Sequence, residues 1–200
     1  YTRPWLDSKQ TSLGFTFYDM TNEYTDYYDD GGTRSTYDKK RKGWDLTLGR
    51  PQGEYIQNYI SFKSRKDTYV EWESGEDYNS NPTYLKDNFG VTHSVSLMRV
   101  YDSRDNVFSP TEGNRVALTA EFAGKSLGGD FNFNKYTAET RNYLKVGHAQ
   151  VVALRGTVGY ADGKMPDSGR FAVGGSDTLR GYRDDQFKGD KMLAATAEYR

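Results

Sequence analysis

The sequence predicts an all-β fold, an antiparallel transmembrane β-barrel present as about eight strands. Three observations carry that expectation. Apolar and polar residues alternate with period two along the whole chain, and no window of helical period competes. The connections between the alternating segments are long and short by turns. Aromatic residues reach 15% of the chain, with 17 tyrosines, while all hydrophobics reach only 35%, an unusual balance for a soluble domain with an aliphatic core.

Taken in order, Leu13, Phe15 and Phe17 alternate with Gly14, Thr16 and Tyr18, and a fragment of a further strand fits before Asp7. Trp44, Leu46 and Leu48 alternate with Asp45, Thr47 and Gly49. Residues 55–72 put Ile56, Ile60, Phe62, Val70 and Trp72 on one parity; their middle, 63–67, is too polar for lipid, so this strand is expected to run well beyond the membrane. Residues 93–101 are less regular and suggest a bulge. Val116, Leu118, Ala120 and Phe122 oppose Arg115, Ala117, Thr119 and Glu121. Around 136–146, Lys135, Thr137, Glu139 and Arg141 share one parity. Val152, Leu154, Val158 and Tyr160 oppose Val151, Ala153, Arg155 and Thr157, and Leu193, Ala195, Ala197 and Tyr199 oppose Ala194, Thr196, Glu198 and Arg200.

Between these segments, 22–42, 74–92, 124–134 and 161–191 read as long loops, while 50–54, 109–114 and 147–148 read as short turns. In a meander every second connection lies at the same end, so long loops gather on one side and short turns on the other, the pattern of an outer-membrane barrel. A Greek-key sandwich also has short alternating strands but does not require that regularity. Nor does it explain a charged parity facing an aromatic and aliphatic one, which in a barrel are the wet lumen and the lipid face. Trp5, Trp44 and Trp72 with the tyrosines supply interfacial girdles.

Composition sets further bounds. Two hundred residues suit one domain or part of a larger one, and 27 Lys and Arg nearly cancel 28 Asp and Glu, so no global field argues for nucleic acid. Cysteine is absent, which removes disulfides and cysteine metal sites without fixing a compartment. The longest aliphatic runs, such as 151–154, cannot cross a bilayer as a helix, whereas a spanning strand needs only about ten residues. No signal peptide is visible, both ends fall in mid-pattern, and eight strands alone would leave two open edges in lipid. The native chain is therefore expected to be longer, or several copies to close together.

The segment RFAVGGSDTLRGY, 170–182, stands out from the alternation. Gly174 and Gly175 permit positive φ or the close approach of another backbone. Leu179, Arg180, Gly181 and Tyr182 place a guanidinium and a phenol either side of a residue without a side chain, a tip able to carry a fixed charge with five donors into a narrow space. Two stretches carry a resemblance: VGGSDTLRGY, 173–182, which includes Asp177, and YDSRDNVFSPTEGNRVALTAEF, 101–122, with Asp102, Arg104, Asp105, Pro110 and Gly113 around its turn. Together they resemble the bacterial outer-membrane β-barrel assembly factor superfamily, which takes in BamA-like and TamA-like insertases, the surface-antigen barrel domain and the two-partner secretion exporters.

The resemblance implies a sixteen-stranded barrel in the cell outer membrane whose sixth external loop folds back into the lumen. Residues 1–200 would then be a partial barrel domain, roughly strands five to twelve, with the RGY loop at 161–191. It implies a factor that folds and inserts β-barrel proteins, acting on unfolded outer-membrane clients among outer-membrane lipids. Accessory lipoproteins or an inner-membrane partner would engage periplasmic domains outside this sequence. Export of one dedicated polypeptide is the alternative, with a passive pore behind it. An arginine in a lumen is costly unless paired, and on parity the local partners for Arg180 are Glu121, Glu139 and Glu198, for which Arg115, Arg141, Arg155 and Arg200 compete.

No catalytic residue, cofactor or metal is expected. Gly124, Lys125 and Ser126 look like the end of a phosphate-binding loop, but position 119, where that motif needs glycine, is Thr. His93 borders a long loop and His148 a short turn, so the two histidines lie at opposite faces, too far apart to share a metal or a reaction. Asp29, Asp30, Asp184, Asp185 and Asp190 read as loop-solvating rather than calcium-binding. The basic run Lys39, Lys40, Arg41 and Lys42 at the outer rim reads as solvated rather than in contact with lipid phosphate.

Overall fold

The computed structural model describes residues 2–3 and 5–200, Arg3 by its backbone alone. Tyr1 and Pro4, part of the terminal alternation, lie outside the described residues. The elements are β1 (Thr2–Arg3), β2 (Ser12–Tyr27), β3 (Thr33–Gln52), β4 (Ile56–Gly75), α1 (Pro82–Asn88), β5 (Gly90–Asp102), β6 (Gly113–Ala123), β7 (Asn132–Gly147), β8 (Gln150–Lys164), β9 (Phe171–Val173), β10 (Phe187–Gly189) and β11 (Lys191–Tyr199). Among the described residues β1 to β8 form an antiparallel meander, β11 pairs with β8, and β9 and β10 pair as a separate hairpin. β1 and β11 do not pair, so the sheet is a half-barrel with two edges. Among the described residues no helix is long and apolar enough to cross a membrane.

The register carries the parity argument from strand to strand. Phe15, Leu46, Phe62, Val95 and Phe122 stand opposite one another across five strands, a continuous apolar row on the convex face. On the concave face Thr47, Ser61, Ser96, Glu121 and Lys135 do the same with polar groups. Aromatic residues mark both rims of the apolar band: Phe17 pairs with Trp44 at one end, and Tyr55 and Tyr101 lie 5.9 Å apart at the other. His93 and Tyr101 bound this band on β5, about 26 Å apart at ~3.3 Å per residue, close to the ~25 Å lipid-facing height of such barrels.

Three expectations are corrected. Residues 22–42 are not a long loop: β2 and β3 continue as a hairpin above the lipid band, leaving only 28–32 as the turn. The ladder persists there because its concave side is buried, with Asp26, Ser35, Tyr37 and Lys39 all packed under other segments. The connection between β5 and β6 is longer than expected, 103–112 rather than 109–114. β5 has no bulge; its pairing is unbroken on both sides, and it looks irregular because its concave parity holds small buried residues, Thr92, Ser94 and Ser96. The register breaks instead in the β2–β3, β3–β4 and β7–β8 pairs.

The extension of β4 beyond the membrane is observed, to Gly75. The loop after it contains α1, whose start follows from Asn81 capping the Tyr84 amide and Pro82 in the first turn. Connections 76–89, 124–131 and 165–190 share one end with the hairpin turn, and 53–55, 103–112 and 148–149 share the other.

Candidate functional site

The segment 165–190 does not project from the rim but folds back over the concave face. Its first part is seated in an apolar cluster of Ala123, Phe131, Phe133, Ala161, Met165 and Phe171, with Met192 against it. The Phe171 ring lies on Gly159, where even a Cβ would collide with it. Lys135 Nζ donates to the Gly169 carbonyl at 2.6 Å and sits 4.4 Å above the Phe171 ring.

The tip follows. Gly174 has φ 139 and Gly175 φ 86, and each faces the returning chain so closely that a side chain would meet the Arg183 carbonyl or the Asp184 carboxylate. Thr178 closes the turn, its hydroxyl donating to the Gly174 carbonyl at 2.9 Å and accepting from the Gly174 amide at 2.8 Å. Asp177 offers its carbonyl to Arg155 at 3.5 Å, and Arg180 Nη2 lies 3.8 Å from Glu198 Oε1. Arg155 is about 30 Å along β8 from Lys164 at ~3.3 Å per residue, so the tip descends most of the depth of the wall.

The return limb crosses to the opposite side of the half-barrel. Tyr182 packs edge-on against Phe187, with ring centroids 5.2 Å apart, and the Arg183 guanidinium lies over the Tyr27 ring. Gln186 donates to the Asp29 carbonyl at 3.0 Å. Lys188 Nζ reaches Asp26 Oδ1 at 2.6 Å, while Asp26 Oδ2 accepts from the Tyr78, Tyr37 and Tyr84 hydroxyls at 3.1, 3.3 and 3.4 Å. One carboxylate on β2 therefore gathers β3, the 76–89 segment and the loop. Burial pushes its pKa up, but the Lys188 charge and the tyrosine hydroxyls outweigh this and hold it below the usual carboxylate value.

Among the carboxylates on the lumen parity, Glu139 is engaged by Arg115, Arg141 and Arg155 at 3.1, 2.9 and 2.8 Å. Glu121 accepts from Ser94 at 2.7 Å. Of the three expected partners of Arg180 only Glu198 is near it, and Arg200 shares that carboxylate at 3.7 Å. The Arg180 side chain remains 81% exposed.

The second motif lies at the short-turn end, away from the loop's mouth. Arg104 grips Asp102 through two nitrogens at 2.8 and 2.7 Å. Asp105 accepts from the Thr111 hydroxyl at 2.6 Å and from the Thr111 and Glu112 amides, which brings its pKa down to about 2. Pro110 is buried and Gly113, at φ 101, lies against the Ser103 carbonyl, so these five residues shape one turn. Asp26, Tyr37, Tyr78, Tyr84, Gln186 and Lys188 escaped sequence reasoning; the abundance of tyrosine was their only trace. Among the described residues no group of three or more His, Cys, Asp or Glu side chains converges as a metal site.

The fold and this loop together define a class: a transmembrane β-barrel wall whose lumen side is occupied by one of its own connections. The Omp85 superfamily domain matches residues 1–200, and the chain belongs to that superfamily of outer-membrane β-barrel proteins. It is 28% identical over 216 residues to the outer membrane protein assembly factor BamA of Nitratidesulfovibrio vulgaris, covering 100% of this chain and 25% of that protein. A SAM50-like protein of Schizosaccharomyces pombe is 28% identical over 183 residues, 84% of this chain and 37% of its own length. The crystal structure of BamA from Haemophilus ducreyi lacking POTRA domains 1–3 superposes with a TM-score of 0.79 at 18% identity, covering 100% of this chain and 43% of that one. The chain thus spans about a quarter of the bacterial relative's length and under half of the solved structure.

Proposed function

We propose that this chain is part of a factor that folds and inserts β-barrel proteins into the outer membrane, without enzymatic chemistry. The observation that carries the reading is the loop 165–190, which binds both sides of the wall and occupies the space a passive pore must leave open. In this reading residues 1–200 supply roughly strands five to twelve of a sixteen-stranded barrel. The loop braces the wall while a weaker seam elsewhere offers unpaired strand edges and thinned lipid to a client strand. Arg180, with most of its side chain exposed, takes a further partner on a neighbouring part of the barrel wall. The partners are unfolded outer-membrane proteins, the surrounding lipids, and accessory lipoproteins or an inner-membrane protein bound through periplasmic domains.

The test is the conductance of the full-length protein in planar bilayers, with and without Arg180→Ala, beside insertion of an unfolded barrel client into vesicles. A small, unstable conductance that grows on mutation while insertion falls supports the reading. A large, steady conductance indifferent to the mutation would mean an ordinary pore.

A further inference from the structure

The basic run on β3 divides by parity. Lys39 and Arg41 turn inward, Arg41 onto Asp67 at 2.7 Å, whereas Lys40 and Lys42 turn outward. On the outward face Lys42 stands directly opposite Lys66 of β4 and Asp19 of β2. Asp19 is the one carboxylate in this group, 3.3 Å from Lys40 Nζ and 3.7 Å from Lys42 Nζ, and Lys66 has no ion pair among the described residues. Two ammonium groups thus share one carboxylate while a third, Lys66, stands cross-strand from one of them with no counter-charge among the described residues, an arrangement that repels itself without a further anion.

The position of this group says which anion. One row toward the lipid band lie Phe17 and Trp44, and below them Phe15, Leu46 and Phe62, all on the same convex face. One side of the cluster is therefore acyl-chain surface. The groups beyond it, Glu23, Asp38 and Glu71, are acidic and would repel an anion held farther from the membrane. A ligand carrying phosphate immediately above hydrocarbon matches both boundaries.

We propose that Lys40, Lys42 and Lys66 bind the phosphate of an outer-leaflet lipid whose acyl chains lie on Phe17 and Trp44. This is a lipid site on the outer wall, distinct from the lumen loop. Lysine serves as a point charge toward phosphate, and the tryptophan sits where the amphipathic indole is favoured.

The test uses the full-length protein in phosphatidylcholine vesicles containing a minority of acyl-brominated phosphatidic acid, or the same share of acyl-brominated phosphatidylcholine. Quenching of Trp44 is read as the difference from the Trp44→Phe protein. Trp44 should be quenched more by the anionic lipid, its preference falling about fivefold for each lysine changed to glutamine. The triple Lys→Arg protein should keep it, and millimolar inorganic phosphate should not displace it. Lys66→Gln alone, which breaks no ion pair, gives the reading should the triple glutamine protein fail to fold. Equal quenching by the two lipids, or a preference unchanged in Lys66→Gln and the triple glutamine protein, overturns the proposal; displacement by inorganic phosphate does so too, by making this a free-anion site.

Discussion

Asp26 is a single residue on which four segments depend, and its replacement is the sharpest test of the loop's attachment. Asp26→Asn removes the charge that faces Lys188 and weakens the hydrogen bonds that three tyrosine hydroxyls donate to a buried carboxylate, and should cost about 2 kcal/mol; thermal unfolding measures it. The pH dependence has a definite sign. A carboxyl whose folded pKa lies below its ordinary 3.8 contributes stability that is complete above that value and is lost as pH falls through the folded one. Pepsin should therefore cut 165–190 increasingly as the medium is acidified below about pH 4, and in Asp26→Asn this pH dependence should be flattened. The tip glycines are separable as well. Gly174→Ala meets the Arg183 backbone at positive φ and should cost about 2–3 kcal/mol, whereas Gly181→Ala at φ 92 meets nothing within 4 Å and should cost about 1 kcal/mol. The glycines were legible in the sequence because a pair beside a polar tip has few other uses. Asp26 was not, because its partners come from positions up to 162 residues away.

At the scale of elements, the inner faces of β6, β7 and β8 are held by one carboxylate among three guanidinium groups. Glu139→Gln should leave Arg115, Arg141 and Arg155 facing one another and lower the heat-modifiability midpoint by the equivalent of about 3 kcal/mol. Glu121→Gln, which disturbs a hydrogen bond to Ser94, should cost about 1 kcal/mol; equal effects would refute the ranking. Parity placed all these residues on one face correctly, since a strand has only two faces. It could not assign pairings, because cross-strand register decides which charges meet. The β2–β3 hairpin shows the opposite failure. Above the lipid band its outward residues are polar, the contrast between faces disappears, and a strand reads as a loop although its inward side is buried.

For the whole molecule, the open edges set the behaviour of these 200 residues alone. An unpaired strand edge cannot remain exposed to lipid, so the isolated segment should associate through β11, the edge strand beside β8. With no cysteine in these 200 residues, Ala195→Cys reports this directly: copy-to-copy disulfides through position 195 in the isolated segment and none through it in the full-length protein. A monomeric segment without cross-links would remove the edge argument. By itself the sequence determined the antiparallel strands, the parity of each face, the sidedness of long and short connections and the unusual character of the RGY segment. These follow from period two and from residue chemistry, which are local. The descent of the loop, the gathering of tyrosines on Asp26, the capture of Glu139 by three arginines and the splitting of the basic run between lumen and lipid were decided only by tertiary structure. Each depends on register and on a connection crossing the concave face, and no local pattern encodes either.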